Sequence, residues 1–105
     1  MVLTIDIGNT KTKIAVFEGE QLIEHVVFER INKEDINTLL VRFDMIDNSI
    51  ISSVDVKEEQ RVEALLRDLG LKCHLLSYLY FFIIKINLAI SKFARLKKFI
   101  LFYII

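Results

Sequence analysis

Apolar and polar positions follow two periods along this chain, and the switch between them marks its elements. Val2 to Ile7 is a nearly continuous apolar run rich in β-branched residues, which predicts a buried strand. Gly8-Asn9-Thr10 interrupts it with turn chemistry: glycine tolerates positive φ, and Asn and Thr side chains bond nearby backbone. Lys11 to Phe17 then alternates. Lys11, Lys13 and Ala15 fall on one face and Thr12, Ile14 and Val16 on the other, the period of a second strand. Glu18-Gly19-Glu20 reads as a tight turn, and Gln21 to Phe28 as a third strand, so the chain opens with an antiparallel meander.

The period then lengthens. Asn32 has the chemistry of a helix N-cap, with Glu34 in the first turn and Asp35 three residues on. Ile36, Leu39, Leu40 and Phe43 follow at helical spacing. Asn48 breaks that pattern, and Ser49 to Val54 predicts a fourth strand ending in Ser52-Ser53. Val56 to Leu69 predicts a second helix, with a stripe of Val62, Leu65, Leu66 and Leu69 and a stop at Gly70. Lys72 to Leu76 predicts a fifth strand. The order βββαβαβ belongs to the α/β class and suggests a ribonuclease-H-like half-domain.

From about Leu79 the character changes. Of the 27 residues 79–105, 23 are Phe, Ile, Lys, Leu, Asn or Tyr, with no Gly, Pro or acidic residue and poor periodicity. The expected organisation is therefore a partial domain over 1–78 and an atypical apolar-basic tail over 79–105. The formal net charge of zero conceals the same division. Residues 1–70 carry 8 basic and 14 acidic groups, whereas 71–105 carry 6 basic and none acidic. At 105 residues, 53% of them hydrophobic, the chain has material for one small core and not two. A single cysteine, Cys73, excludes an internal disulfide and fits a reducing compartment. No secretory signal is expected, because Asp6 interrupts the apolar start and no basic segment precedes it.

The string Ile5-Asp6-Ile7-Gly8-Asn9-Thr10-Lys11-Thr12-Lys13 carries the candidate chemistry. A carboxylate within a buried apolar strand costs several kcal/mol unless it is paired or stands near a metal, so Asp6 needs a reason. Gly8 leaves room for backbone to approach a ligand. The N–H groups of a Gly-Asn-Thr turn can converge on phosphate oxygens, Thr10 adds a hydroxyl, and Lys13 can carry its ammonium to a β- or γ-phosphate. Asp6 would hold hydrated Mg²⁺, which keeps several waters and takes one or two carboxylates. Together these parts neutralise and orient a polyphosphate. The bland readings are a plain hairpin turn at Gly8-Asn9, solvated Thr10 and Lys11, and an exposed strand charge at Lys13.

Asp6-Ile7-Gly8-Asn9-Thr10 followed by Lys13 at the extreme N-terminus resembles the first phosphate motif of type III pantothenate kinases, within the actin-like/sugar kinase/Hsp70 ATPase superfamily. Asn9 separates it from superfamily members with Gly-Gly-Thr or Gly-Thr-Thr. Ala15-Val16-Phe17 and Ile50-Ile51-Ser52-Ser53-Val54 are similar to that family too. The resemblance covers residues 1 to about 78. It implies an actin-like ATPase N-terminal half-domain that transfers the ATP γ-phosphoryl group to pantothenate, the first step of coenzyme A synthesis. It implies ATP bound by residues Asp6, Ile7, Gly8, Asn9, Thr10, Lys11, Thr12 and Lys13, Mg²⁺ at Asp6 through water, a monovalent cation (K⁺ or NH₄⁺), a homodimer and a cytoplasmic location.

The chain departs from that family after the fifth strand. The family's Gly-x-Asp-Arg motif, which supplies the catalytic base, is absent, and no acidic residue follows Asp68. The expectation is a truncated relative, inactive alone, whose tail reads as out-of-frame translation beginning near Leu79. Two other readings stand beside it: another kinase or ATPase of the same superfamily, and a non-catalytic membrane-associated fragment. For the last, Leu75 to Ile90 is short for a spanning helix, while Lys92, Arg95, Lys97 and Lys98 before Phe99 to Ile105 suit a basic amphipathic membrane binder. No nucleic-acid partner is expected. Ser52-Ser53 read as strand-end serines, His25 and His74 as strand residues rather than metal ligands, and Lys57-Glu58-Glu59 with Arg61 and Glu63 as solvated helix faces.

Overall fold

A computed structural model describes residues 1–19 and 21–76. The expected boundary at residue 78, the character of the tail and any membrane contact through it lie outside the described residues. Seven elements follow the predicted order: β1 (Val2–Ile7), β2 (Thr12–Glu18), β3 (Gln21–Phe28), α1 (Lys33–Arg42), β4 (Asn48–Ser53), α2 (Val56–Asp68) and β5 (Lys72–Leu75). Boundaries differ from the sequence-based ones by one residue at both ends of β2 and β4 and at the C-terminal ends of α2 and β5, where hydrogen bonding rather than periodicity decides.

The five strands form one sheet in the order β3-β2-β1-β4-β5. β1 pairs antiparallel with β2, and β2 with β3, as a meander requires. β1 pairs parallel with β4, and β4 with β5, as crossover helices require. The second hairpin, between β2 and β3, turns at Gly19, whose φ of 59° suits a residue without Cβ. The mixed sheet with two helices is the α/β arrangement expected of an actin-like ATPase half-domain.

Alternation along β1 separates two faces. Leu3, Ile5 and Ile7 point into the core with Ile14 and Val16 of β2 and Ile51 of β4. Ile36 and Leu39 of α1 and Val62 and Leu66 of α2 close over them. Full burial of each such side chain stabilises the fold by about 1.5–3 kcal/mol, which is why both helices dock on this face. On the other face lie Thr4, Asp6, Lys13, Ala15, Ile50 and Ser52. Thr4, Ala15 and Ile50 are buried there too. Ala15 therefore does not share the exposure of Lys11 and Lys13, although it shares their parity.

Both helices begin on side-chain caps. The Asn32 carboxamide accepts from Asp35 N–H at 3.0 Å, and the Asp35 carboxylate accepts from Asn32 N–H at 2.9 Å, a reciprocal capping box. Asp55 accepts from the N–H groups of Lys57 and Glu58 at the start of α2. One helix face departs from the sequence expectation. Arg61 is half-buried, bonded to Glu58, and donates to the Ile31 carbonyl at 2.7 Å, fastening the β3–α1 connection to α2. The partner carbonyl is thirty residues away in sequence, so helical periodicity alone presents Arg61 as solvated. Among the described residues, no helix is long and apolar enough to cross a membrane.

Candidate functional site

The candidate residues occupy the hairpin that joins β1 to β2 at the carboxyl end of β1. In open α/β sheets ligands bind beyond the carboxyl ends of parallel strands, and β4 ends beside β1 at the same edge. The β4–α2 turn is tied to that edge: Val54 N–H donates to the Ile7 carbonyl at 3.1 Å. Two loops thus meet there, residues 8–11 and residues 53–55.

Asp6 and Lys13 are cross-strand partners, so their side chains rise from the same face. Asp6 is half-buried and Lys13 exposed. Burial pushes the Asp6 carboxyl above its ordinary value, and the Lys13 ammonium pulls it partly back. No ion pair closer than 4.0 Å joins Asp6 to a base among the described residues.

Gly8 serves the site by its small size. Its φ is not positive, unlike those of Gly19 and Gly70. Instead its N–H donates to the Lys11 carbonyl at 2.9 Å, and an added Cβ would lie 3.1 Å from that oxygen. The Gly8 N–H is therefore spent within the hairpin and does not join the anion-binding group expected from the sequence. The N–H groups of Asn9, Thr10 and Lys11 donate to none of the turn, loop or cap hydrogen bonds among the described residues. All three residues are exposed at the tip. These three N–H groups and the Thr10 hydroxyl are donors of the kind that phosphate oxygens accept from.

Ile7 and Thr12 belong to the hairpin but not to its polar face. They pair with each other, and both side chains are buried on the helix-covered side. Only their backbone can face a ligand. The polar side chains of the hairpin are thus the half-buried Asp6 and the exposed Asn9, Thr10, Lys11 and Lys13.

For a divalent cation the donor set at Asp6 is a single carboxylate. Among the described residues no group of three or more His, Cys, Asp or Glu stands close enough to cage a metal. That set fits a cation such as Mg²⁺ that keeps its waters and takes phosphate oxygens as further ligands. His25 and His74 are exposed on β3 and β5, at opposite edges of the sheet. Cys73 is a half-buried free thiol beside Ser49 on β5. Burial raises its pKa, the change opposite to that of a reactive cysteine.

Sequence reasoning missed Ser52. It pairs in register with Asp6 on the opposite side from Lys13, giving a row Lys13–Asp6–Ser52 across β2, β1 and β4. The signal was its parity with Asp6, which becomes visible only once the parallel register of β1 and β4 is known.

Residues 2–86 match the family model described as type III pantothenate kinase. The matched span ends inside the apolar-basic segment. A curated relative from Flavobacterium johnsoniae, described as a type III pantothenate kinase, is 41% identical over 61 residues. That alignment takes in 57% of this chain and 25% of the relative, so the chain spans about a quarter of the length of that protein.

Proposed function

The chain belongs to the type III pantothenate kinase family, and on that premise we propose that its first hairpin binds the phosphates of ATP for phosphoryl transfer to pantothenate. The observation that carries this reading is the cross-strand pairing of Asp6 with Lys13 beside the Gly8 turn. It places a carboxylate and an ammonium side by side at the carboxyl edge of the sheet. Thr10 and the N–H groups of Asn9 to Lys11 would hold phosphate oxygens, and Lys13 would offset their charge. Asp6 would hold a hydrated divalent cation, which supplies charge neutralisation at the transferring phosphate. Ile7, Gly8 and Thr12 shape the hairpin through backbone and packing.

In this reading the hairpin contributes binding and orientation, not the base that activates the acceptor hydroxyl. No acidic residue follows Asp68, so we expect no phosphoryl transfer by the 105 residues alone. The division into a partial ATPase-type domain over 1–78 and a separate tail over 79–105 is part of the same proposal. So are a potassium or ammonium requirement, a homodimer and a cytoplasmic location; family membership is their support.

A chimera tests the reading. The segment of this chain that matches the Flavobacterium johnsoniae kinase replaces its counterpart in that enzyme. We expect the chimera to form ADP in a pantothenate-dependent reaction, and Asp6→Asn within it to abolish turnover. A folded chimera that turns over equally well with Asp6→Asn contradicts the proposal. Turnover with a different acceptor but not with pantothenate favours another kinase of the superfamily.

A further inference from the structure

Three serines on β4 have different fates. The Ser49 hydroxyl is buried and donates to the Lys72 carbonyl at 2.9 Å. The Ser53 hydroxyl donates to the Asp55 carbonyl at 2.8 Å and accepts from Asp55 N–H at 2.9 Å, which shapes the turn into α2. Ser52 lies between them with the opposite parity. It is half-buried, and its hydroxyl makes no hydrogen bond among the described residues. Structural serines on strands bond backbone, Ser53 locally and Ser49 across to β5. Ser52 does not, and its register partner is Asp6.

Parallel partners on one face stand within side-chain reach of each other, as neighbouring strands lie about 4.8 Å apart. Asp6 is flanked on one side by the Lys13 ammonium and on the other by the Ser52 hydroxyl. A phosphate drawn to Lys13 leaves the Ser52 side of Asp6 for the solvent shell of a cation. Waters bound to a small divalent cation are strong donors, and a serine oxygen offers them lone pairs.

We propose that Ser52 is a positioning residue for the hydrated divalent cation of the metal–nucleotide complex, accepting from a cation-bound water beside Asp6. The proposal rests on the ATP-phosphate reading of the hairpin. Ser52 acts through the cation's water shell and fixes where the cation sits relative to Asp6. Metal-free nucleotide, held by Lys13 and the turn, has no use for it.

The test is calorimetric titration of the full 105-residue chain with ATP, once with Mg²⁺ and once with EDTA, alongside thermal unfolding. Ser52→Ala is expected to weaken Mg-ATP binding about tenfold, the loss of one hydrogen bond to a charged group. Metal-free ATP binding and the unfolding midpoint are expected to hold. Ser52→Thr, which keeps the hydroxyl, restores Mg-ATP affinity, and Ser53→Ala leaves the ratio of the two affinities unchanged. Equal Mg-ATP affinity in Ser52→Ala and wild type, with loss in Asp6→Asn, overturns the role of Ser52 and leaves the hairpin reading intact. Equal weakening with and without metal also overturns it, as a structural effect. Wild-type chain that binds no ATP under either condition sinks the hairpin reading and this proposal with it.

Discussion

Asp6 of β1 and Lys13 of β2 stand directly opposite each other on the face of the sheet away from both helices. The pairing explains how a carboxylate persists in a strand whose neighbours Ile5 and Ile7 are buried. Alternation turns it away from the core, and the ammonium beside it offsets part of the burial penalty. It does not offset all of it, since burial remains the larger influence on Asp6.

That residual penalty has a stability consequence. The folded state raises the Asp6 pKa, so it holds the proton more tightly than the unfolded chain does. The penalty is absent below the unfolded value, grows as pH rises towards the folded value, and is complete above it. Asp6→Asn is therefore expected to raise the thermal midpoint at pH 7, with the gain shrinking as pH falls through the carboxylate range. Thermal unfolding of both proteins from pH 3 to 7 checks this. A lower midpoint for Asp6→Asn at pH 7 would contradict it.

Gly8 tests the geometry of the turn. A Cβ there would meet the Lys11 carbonyl at 3.1 Å, and that oxygen is fixed by the Gly8 N–H. Gly8→Ala is expected to cost about 1–3 kcal/mol, the range for forcing an extra carbon into packed structure. It should also disturb the amide resonances of residues 9–11. Chemical denaturation and an amide spectrum of the variant measure both.

Two arginines on α2 separate half-buried from more exposed pairing. Arg61→Met leaves the Ile31 carbonyl without its donor and Glu58 without its closest partner, for an expected loss of about 1–3 kcal/mol. Arg67→Met removes a largely exposed pair with Glu63 and should cost less than about 0.5 kcal/mol. Urea denaturation of the two variants gives the comparison, and equal losses would contradict the fastening role of Arg61.

Cys73 is expected to be a slow nucleophile. Burial keeps its thiol protonated beyond the ordinary range, and it sits beside Ser49 on a strand that α2 packs against. Alkylation by iodoacetamide at pH 8 should be slower in the folded chain than in urea. Rates that match in the two states would contradict this.

Much of the fold was legible in the sequence because local patterns carry it. The period of two in Lys11 to Phe17, the Asn32 and Asp35 spacing and the stripe from Val62 to Leu69 each record a local rule. The elements follow those rules closely. The candidate site was half legible. Asp6 stood out because a charge in an apolar strand is costly, and Lys13 because a lysine on the strand after the turn can reach a phosphate held there. Ser52 and Arg61 were not legible. Their partners, Asp6 and the Ile31 carbonyl, are remote in sequence, and only the parallel register and helix docking bring them together. The reason for Gly8 also changed, from a permissive φ and room for a ligand to a close approach of the Lys11 carbonyl within the hairpin itself.

The most direct test of the hairpin as a nucleotide-phosphate site is an amide chemical-shift map of the ¹⁵N-labelled chain during titration with Mg-ATP. The largest changes are expected at Gly8 to Lys13, with smaller ones at Ser52 to Asp55, because both loops share the carboxyl edge of β1 and β4. Lys13→Gln should reduce the changes together with the affinity. Saturable changes confined to the opposite edge, around Gly19 and Asp47, or an undiminished response in Lys13→Gln, would contradict the account.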